Sequence, residues 1–290
     1  MAATARILFA SPLVKVSDHT CDTPRSGCGC ELCDPVSSVT VIRRGVHAHH
    51  ARGQVALAEA GRAILYRGGE SYRLSHPYDR DRTDRSTCLE FGPALLDEAF
   101  GAKPLARDLG TPLRPDTLLL TFAVTAALGA EGSDALASEE RALALLHAIA
   151  RDLGLSAADR GAAEPARRRV DRARGFIAAD PSAAPGIEAV AAAAACSPFH
   201  LARLFRRHTG MTIRGYRLRL RLAEALQDLA DGAPDPASVA VRAGFSDHSH
   251  MTAAFRKVLG HPPSSLRDAL GTRDLRQMST FFKAAAQRRS

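Results

Sequence analysis

The sequence contains no tryptophan, and only 5% of its residues are aromatic. It has no apolar run long enough to cross a bilayer and no opening segment typical of a secretory signal, so we expect a cytoplasmic protein without a membrane partner. It also lacks a phosphate loop, a dinucleotide-binding glycine motif and a Ser/His/Asp set in a recognisable context. These absences argue against the enzymes that depend on such motifs, and we predict that the protein is not an enzyme.

Positive charge is plentiful but unevenly distributed along the chain. The 290 residues carry a net charge of +8, and this length suits two domains with a core in each. From residue 166 to the end there are 21 Lys/Arg against 10 Asp/Glu, which leaves 18 against 21 in residues 1–165. Because phosphate contacts dominate nucleic-acid affinity, the carboxy-terminal half is predicted to bind DNA.

One stretch of this basic half occurs twice. The segment CSPFHLARLFRRHTGMTIRGYR, Cys196 to Arg217, returns fifty residues later as SDHSHMTAAFRKVLGHPPSSLR. In register, His200 meets His250, Leu201 meets Met251, Phe205 meets Phe255, Gly210 meets Gly260 and Arg217 meets Arg267. An internal repeat of this kind indicates two copies of one structural unit.

Each copy has the signals of a helix with a helix before it. A capping residue, Ser197 or Asp247, opens about a dozen residues of helical pattern that end at a glycine. Short apolar-periodic runs, 187–195 and 238–243, precede the two copies. A helix, a tight turn and a second helix form the helix-turn-helix pattern, whose second helix enters the major groove of DNA.

Residues 166–270 resemble the DNA-binding domain of the AraC family of transcription regulators, in which a long helix joins two helix-turn-helix units. The matching positions are Ser197, Leu201, Arg203, Leu204, Phe205, Gly210, Tyr216, Arg221, Leu222, Ala225, Ala240, Gly244, Phe245, Ser249, Phe255, Gly260, Pro262 and Arg267. Two departures, His250-Met251 in place of an aromatic pair and Ala253 in place of arginine, predict weaker base reading by the second unit.

Exposed side chains near the start of each second helix are the candidates for DNA contact. Arg203 is suited to two hydrogen bonds with guanine, and Phe199 to a thymine methyl group. The resemblance places Phe199, Ala202 and Arg203 at base-reading positions, and the basic residues after them suit phosphates. The predicted DNA-binding residues are Phe199, Ala202, Arg203, Arg206, Arg207, His248, Ser249, Thr252, Arg256 and Lys257.

The amino-terminal half has the pattern of short strands and glycine turns. Arg6–Val16 is predicted as an edge strand, Ser38–Val46 as a strand, and 54–58 with 62–66 as a hairpin. Such a pattern indicates a small β-barrel or jelly roll, and the AraC resemblance implies a cupin-like barrel that receives a signal. The fold class is therefore α+β: a cupin-like barrel with flanking helices, then an all-α domain.

The domain boundaries follow from these patterns. We predict a sensor domain over 1–154, a linker over 155–165, the tandem helix-turn-helix domain over 166–270 and a tail over 271–290. Helical periodicity also predicts helices at 93–100, 116–128 and 138–153. By resemblance the last two pair two subunits; packing on their own barrel is the alternative.

Four cysteines lie within 13 residues, in the segment CDTPRSGCGCELC. Cys21, Cys28, Cys30 and Cys33 are predicted to hold zinc or another thiophilic metal ion, because clustered thiolates suit soft ions. An iron–sulfur cluster, a thiol switch that responds to oxidants or electrophiles, and a segment without a role are the alternatives. Cys88 is predicted to be a core thiol, and Cys196 a small residue tolerated in a turn.

Two further polar groups lie in the strand-rich half. His47 and His49 share one face of a strand, a spacing that can bind metal, but a polar outer face of the sheet is the simpler interpretation. The charge-mixed segment 79–85 is interpreted as a solvated hairpin tip.

These observations together predict a sequence-specific DNA-binding transcription regulator. Its expected partners are double-stranded operator DNA, RNA polymerase and a second copy of itself in a homodimer. The predicted signal is a thiophilic metal or a thiol-reactive agent at the cysteine segment. The alternatives are an organic effector bound in the barrel and a DNA alkyl-transfer repair protein with regulator activity.

Overall fold

A computed structural model describes residues 3–21, 31–51, 53–78, 83–100, 110–130, 134–155, 164–183, 185–233 and 235–271. Strands occupy the first part of the chain: β1 (Ala3–Ala10), β2 (Val14–Cys21), β3 (Glu31–Cys33), β4 (Ser37–Arg44), β5 (Val46–Ala51), β6 (Gln54–Glu59), β7 (Arg62–Tyr66), β8 (Ser71–Ser75), β9 (Asp84–Phe91) and the short β10 (Thr111–Pro112). The predicted strand-rich half followed by a helical half is confirmed.

The strands form two antiparallel sheets. The six-stranded sheet has the order β1-β2-β9-β4-β7-β10, and the four-stranded sheet has the order β3-β8-β5-β6. Gly45, with a φ of 108°, separates β4 from β5, so that one continuous β-branched segment supplies a strand to each sheet. A left-handed backbone at this position favours glycine.

Two strand predictions are wrong in detail. The segment 6–16 was expected to form one edge strand, but its residues belong to β1 and β2, which pair as a hairpin. The predicted hairpin of 54–58 and 62–66 is also wrong, because β6 pairs with β5 whereas β7 pairs with β4 and β10. The turn at Gly61 does exist, with a φ of 79°, but it carries the chain from one sheet to the other.

Three helices follow the sheets: α1 (Pro93–Phe100), α2 (Pro115–Leu128) and α3 (Ala135–Leu155). Apolar side chains of α2 and α3 pack on Val16, Val39 and Leu89 of the six-stranded sheet. Most of α2 is buried, because its other side contacts helices of the carboxy-terminal half. Within the described residues, α2 therefore packs inside its own chain, as the alternative to subunit pairing expects.

The carboxy-terminal half is all helical: α4 (Glu164–Ala179), α5 (Ile187–Ala193), α6 (Pro198–Thr209), α7 (Ile213–Ala230), α8 (Pro236–Arg242), α9 (His248–Leu259) and α10 (Pro263–Gly271). Its core surrounds the buried rings of Phe205, Tyr216, Phe245 and Phe255. The same core includes Val46 and Leu57 of the four-stranded sheet, so the two halves share apolar contacts. Residues 156–163 of the predicted linker and the tail from 272 lie outside the described residues.

No helix in the described part of the chain is both long enough and apolar enough to span a bilayer.

Candidate nucleic-acid interface

The helices α6 and α9 begin and end in the same way. The Ser197 hydroxyl accepts a hydrogen bond from the His200 backbone N–H at 3.3 Å, and the Asp247 carboxylate accepts one from the His250 N–H at 2.8 Å. Such side-chain caps satisfy donors that the first helical turn leaves unpaired. Each helix spans 12 residues and stops at a left-handed glycine, Gly210 or Gly260. The two units are therefore built alike, as the repeat predicts.

One face of α6 is buried and the other is open. Leu201, Leu204 and Phe205 pack in the core. The predicted DNA-contacting residues Phe199, Ala202, Arg203, Arg206 and Arg207 are all exposed. Phe199 leaves 81% of its surface in water. A large apolar side chain this exposed beside three arginines favours a binding surface.

The second helix, α9, divides its side chains in the same register. Met251, Ala254 and Phe255 are buried, whereas His248, Ser249, Arg256 and Lys257 are exposed and Thr252 is half-exposed. The His248 Nε2 and Thr252 Oγ1 atoms lie 3.4 Å apart. The positions of α9 predicted to read bases thus carry an imidazole and two hydroxyl groups, which differ in chemistry from Phe199 and Arg203 on α6.

The helix α7 joins the two helix-turn-helix units and contacts the amino-terminal domain through buried polar side chains. Glu224, Gln227 and Asp228 are buried, and Arg44 at the end of β4 reaches two of them. The Arg44 Nε atom lies 3.0 Å from a Glu224 carboxylate oxygen, and its Nη2 donates to Asp228. The other Asp228 oxygen lies 3.1 Å from Nε of Arg242, the last residue of α8. These ion pairs connect the six-stranded sheet to the second unit.

A second buried ion cluster connects the four-stranded sheet to α4. Glu59, at the end of β6, is 1% exposed and lies 2.6 Å from Arg174 Nη2 and 2.7 Å from Arg62 Nε. Burial raises the pKa of Glu59, but the two guanidinium groups outweigh it and lower that pKa to about 2. Glu59 is therefore ionised throughout the physiological range. Because α4 packs on α5 and α6, this cluster connects the sheet to the first unit.

His47 and His49 are 9% and 2% exposed, so the interpretation of a polar outer face is wrong. Their side of β5 faces the domain interior, where the His49 ring packs against Tyr66 with centroids 4.8 Å apart. Burial lowers the pKa of His47 to about 4, so its ring is neutral near pH 7. His47 lies beside His76 and Asp84, with ligand atoms of the three within 4.8 Å of one another.

Asp84 corrects a further interpretation. The segment 79–85 was expected to be a solvated tip; residues 79–82 lie outside the described residues, but Asp84 opens β9 and its carboxylate lies 3.1 Å from His76 Nε2. Sequence reasoning missed this group because the three members are 29 and 8 residues apart, a spacing without a recognisable motif. Only the folding of β5 and β9 into facing sheets brings them together.

The predicted metal ligands divide between described and undescribed residues. Cys28 and Cys30 lie outside the described residues, so the four-thiolate site stays a prediction. Cys21 ends β2 opposite Asp84 of β9, and Cys33 lies in β3 opposite Ser71 of β8. Of the described cysteines of this segment, Cys21 is therefore the one that lies opposite a member of the His47, His76 and Asp84 group. Cys88 is buried, as predicted, and burial raises the pKa of its thiol.

Comparison with known proteins addresses the helical half. Residues 190–269 match the sequence profile of a family described as "Helix-turn-helix domain". The chain is 39% identical to the HTH-type transcriptional activator RhaS of Pectobacterium carotovorum over 74 residues. The aligned segment is 26% of this chain and 26% of RhaS. Over 106 residues it is 32% identical to the uncharacterized HTH-type transcriptional regulator YidL of Escherichia coli, 37% of this chain and 36% of that one. The chain thus spans only a quarter to a third of these relatives' lengths.

Among solved structures, ToxT of Vibrio cholerae aligns with 90% of this chain and 99% of its own. The identity is 10% and the TM-score is 0.40.

The repeated unit, its caps and its two exposed helices define a protein with a tandem helix-turn-helix domain. The profile match over residues 190–269 agrees with the resemblance to the AraC-type DNA-binding domain. The relatives are named as HTH-type transcription regulators.

Proposed function

We propose that the protein is a DNA-binding transcription regulator whose helical half binds double-stranded operator DNA and whose two-sheet half receives a signal. One observation carries the proposal: α6 and α9 each bury the residues that the repeat assigns to the core and present those assigned to DNA. The basic excess of the same half supports it, because phosphate contacts supply most of the affinity.

Within this proposal the first unit reads bases through Phe199, Ala202 and Arg203. An arginine at the amino end of a recognition helix suits a bidentate contact to guanine. His248, Ser249 and Thr252 are the counterparts on the second unit. Arg206, Arg207, Arg256 and Lys257 bind phosphates, which fix the register of the protein on the duplex.

Two protein partners belong to the proposal. A homodimer would form through the outer face of α3, where Leu136 is 65% exposed, because most of α2 is buried within the chain. Sedimentation of the full chain tests the dimer: a strict monomer at high micromolar concentration contradicts it.

Contact with RNA polymerase is proposed because one relative is named as a transcriptional activator.

The test of DNA binding begins with an operator selected from random duplexes by the full chain. Arg203→Ala is expected to weaken binding to that operator by about 10- to 100-fold and to relax preference at one base pair, as loss of a bidentate contact does. Arg73→Ala, which removes an exposed arginine from β8, is the matched control and should bind like the parent chain. Equal affinity of the Arg203→Ala variant and the parent chain contradicts the base-reading assignment.

The finer part of the proposal is the signal. The cysteine segment would sense a thiophilic metal or a thiol-reactive agent, since ligation by three or four thiolates can order a segment poor in apolar residues. A reporter strain that carries Cys28→Ser and Cys30→Ser should lose its response and retain operator binding. A normal response in that strain places the signal elsewhere.

An organic effector is the second candidate, and a cleft supports it. The cleft has a volume of about 540 Å³ and lies between the four-stranded sheet and α4, lined among others by His50, Val55, Tyr78, Arg168 and Arg172. Apolar walls with a few placed charges are typical of small-molecule sites. An effector there would touch both halves of the chain.

A further inference from the structure

Three side chains from separate segments meet between the two sheets. His47 lies in β5, His76 directly after β8, and Asp84 at the start of β9. Their potential ligand atoms all lie within 4.8 Å of one another. Because β5 and β8 belong to the four-stranded sheet and β9 to the six-stranded sheet, this histidine–aspartate cluster spans both sheets.

The cluster contains buried nitrogen atoms without hydrogen-bond partners. His47 is nine-tenths buried, and its Nε2 has no partner among the described residues; the same holds for His76 Nδ1. The other His76 nitrogen, Nε2, lies 3.1 Å from Asp84 Oδ2. Burial of a polar atom without a hydrogen bond is unfavourable, so the Nε2 of His47 favours a bound ligand at this site.

The backbone beside the cluster makes room for its carboxylate. The Asp84 side chain packs directly over Gly45, and a Cβ at that position would collide with the carboxyl group. The φ of 108° at Gly45 also disfavours any side chain there. The carboxylate position is therefore built into the fold by the residue that separates β4 from β5.

We propose that His47, His76 and Asp84 form a binding site for one divalent transition-metal cation, with zinc(II) as the probe. Two imidazoles and a carboxylate are the ligand set of zinc sites that keep a fourth position open. Zinc bonds of about 2.1 Å place ligand atoms about 3.4 Å apart. The Nε2 of His76 and the Oδ2 of Asp84, 3.1 Å apart, are close to this spacing, and the ligand atoms of all three residues lie within 4.8 Å of one another.

The site is positioned to influence the helical half. Tyr78, two residues after His76, packs against Gly175 of α4, where any Cβ would collide with the phenol ring. A cation that fixes His76 would therefore also fix the contact of Tyr78 with the first helix of the helix-turn-helix domain. A role of this site in signalling rests on the proposed regulatory function, whereas the binding of zinc to it does not.

The test must separate this site from the cysteines, because Cys21 lies opposite Asp84 in the β2–β9 register. We would titrate zinc(II) into the full chain with Cys21, Cys28, Cys30 and Cys33 all changed to Ser. We expect one zinc per chain by calorimetry and by metal analysis after dialysis. His76→Ala and Asp84→Asn should each weaken binding at least tenfold. His19→Ala, at a half-buried histidine outside the cluster, should leave the affinity unchanged.

The isosteric Asp84→Asn variant guards against misfolding, and its circular dichroism and melting temperature without metal should match those of the parent chain. A folded Cys-free chain that retains no zinc overturns the proposal. Unchanged affinity in both cluster variants, or equal loss in His19→Ala, overturns it as well. Operator binding is measured separately, so a chain that binds zinc but not DNA refutes the regulatory function and leaves the metal site intact.

Discussion

The two helix-turn-helix units share one construction but differ in surface and in attachment. Their recognition helices have equal length, equivalent caps and glycine stops. The first presents Phe199 and Arg203, whereas the second presents Ser249 and Ala253 at the counterpart positions. The first is tied through α4 to the four-stranded sheet, and the second through α7 and α8 to the six-stranded sheet. A duplicated fold can thus keep its core while its surface and its neighbours diverge.

The largest expected effect is on the free energy of unfolding, when the ion pairs that attach each unit to its sheet are removed. Arg44→Leu removes a buried guanidinium from Glu224 and Asp228, and Arg174→Leu removes one from Glu59. Loss of one partner from a buried ion pair costs up to about 3–5 kcal/mol of unfolding free energy, and the remaining pairs of Asp228 with Arg242 and of Glu59 with Arg62 keep the cost below that limit. Amide hydrogen exchange should rise mainly in α7–α9 for Arg44→Leu and in α4–α6 for Arg174→Leu. The same exchange pattern in both variants would contradict separate attachment.

The control for these variants is Lys15→Ala, at an ion pair whose side chains are 38% and 31% exposed. An exposed pair contributes about 0–1 kcal/mol, so denaturant unfolding should change little.

The different surfaces give the next effect. Thr252→Ala, at the second unit, should weaken operator binding by less than about 1 kcal/mol, because it removes at most one neutral hydrogen bond. Arg203→Ala, at the first unit, should cost about 1–3 kcal/mol. Fluorescence anisotropy on the selected operator measures both. If Thr252→Ala proves the more damaging, the ranking of the two units is reversed.

The units should be alike in their phosphate contacts. Arg207→Ala and Lys257→Ala should each weaken binding to all sequences and lower the slope of log affinity against log salt by about one. Titrations of non-specific duplex at several salt concentrations measure the slope. An unchanged slope for Lys257→Ala would remove α9 from the backbone contacts.

The stabilisation by the helix cap should depend on pH in the second unit but not in the first. The backbone hydrogen bond from His250 lowers the pKa of Asp247, the cap of α9, whereas the Ser197 hydroxyl of α6 does not titrate in this range. Because the folded pKa is depressed, this stabilisation is present above the unfolded value of about 3.9 and is lost as pH falls through the folded value. Asp247→Asn keeps a capping side chain and should abolish the difference, as amide exchange at His250 and His200 would show.

The sequence alone determined the limits of the two repeated helices, α6 and α9. Ser197, Asp247, Gly210 and Gly260 are local signals whose partners lie within four residues, so the limits of α6 and α9 could be predicted. The division of α6 into a buried and an exposed face also followed from helical periodicity alone. The exposure of the α6 residues predicted to contact DNA could therefore be predicted from their places on the helix.

Only the tertiary structure decided how the strands pair and what they bring together. Strand pairing depends on contacts remote in sequence, so the turn at Gly61 was predictable but the sheets it connects were not. Likewise Asp84 was predicted to be solvated, but in the structure β9 places it beside His47 and His76. The sequence also did not indicate that Arg44 pairs with α7 or that Glu59 pairs with α4. Local hydrogen bonds join residues that are close in sequence and can be predicted from it. Buried ion pairs join residues that are remote in sequence and form only when the chain folds.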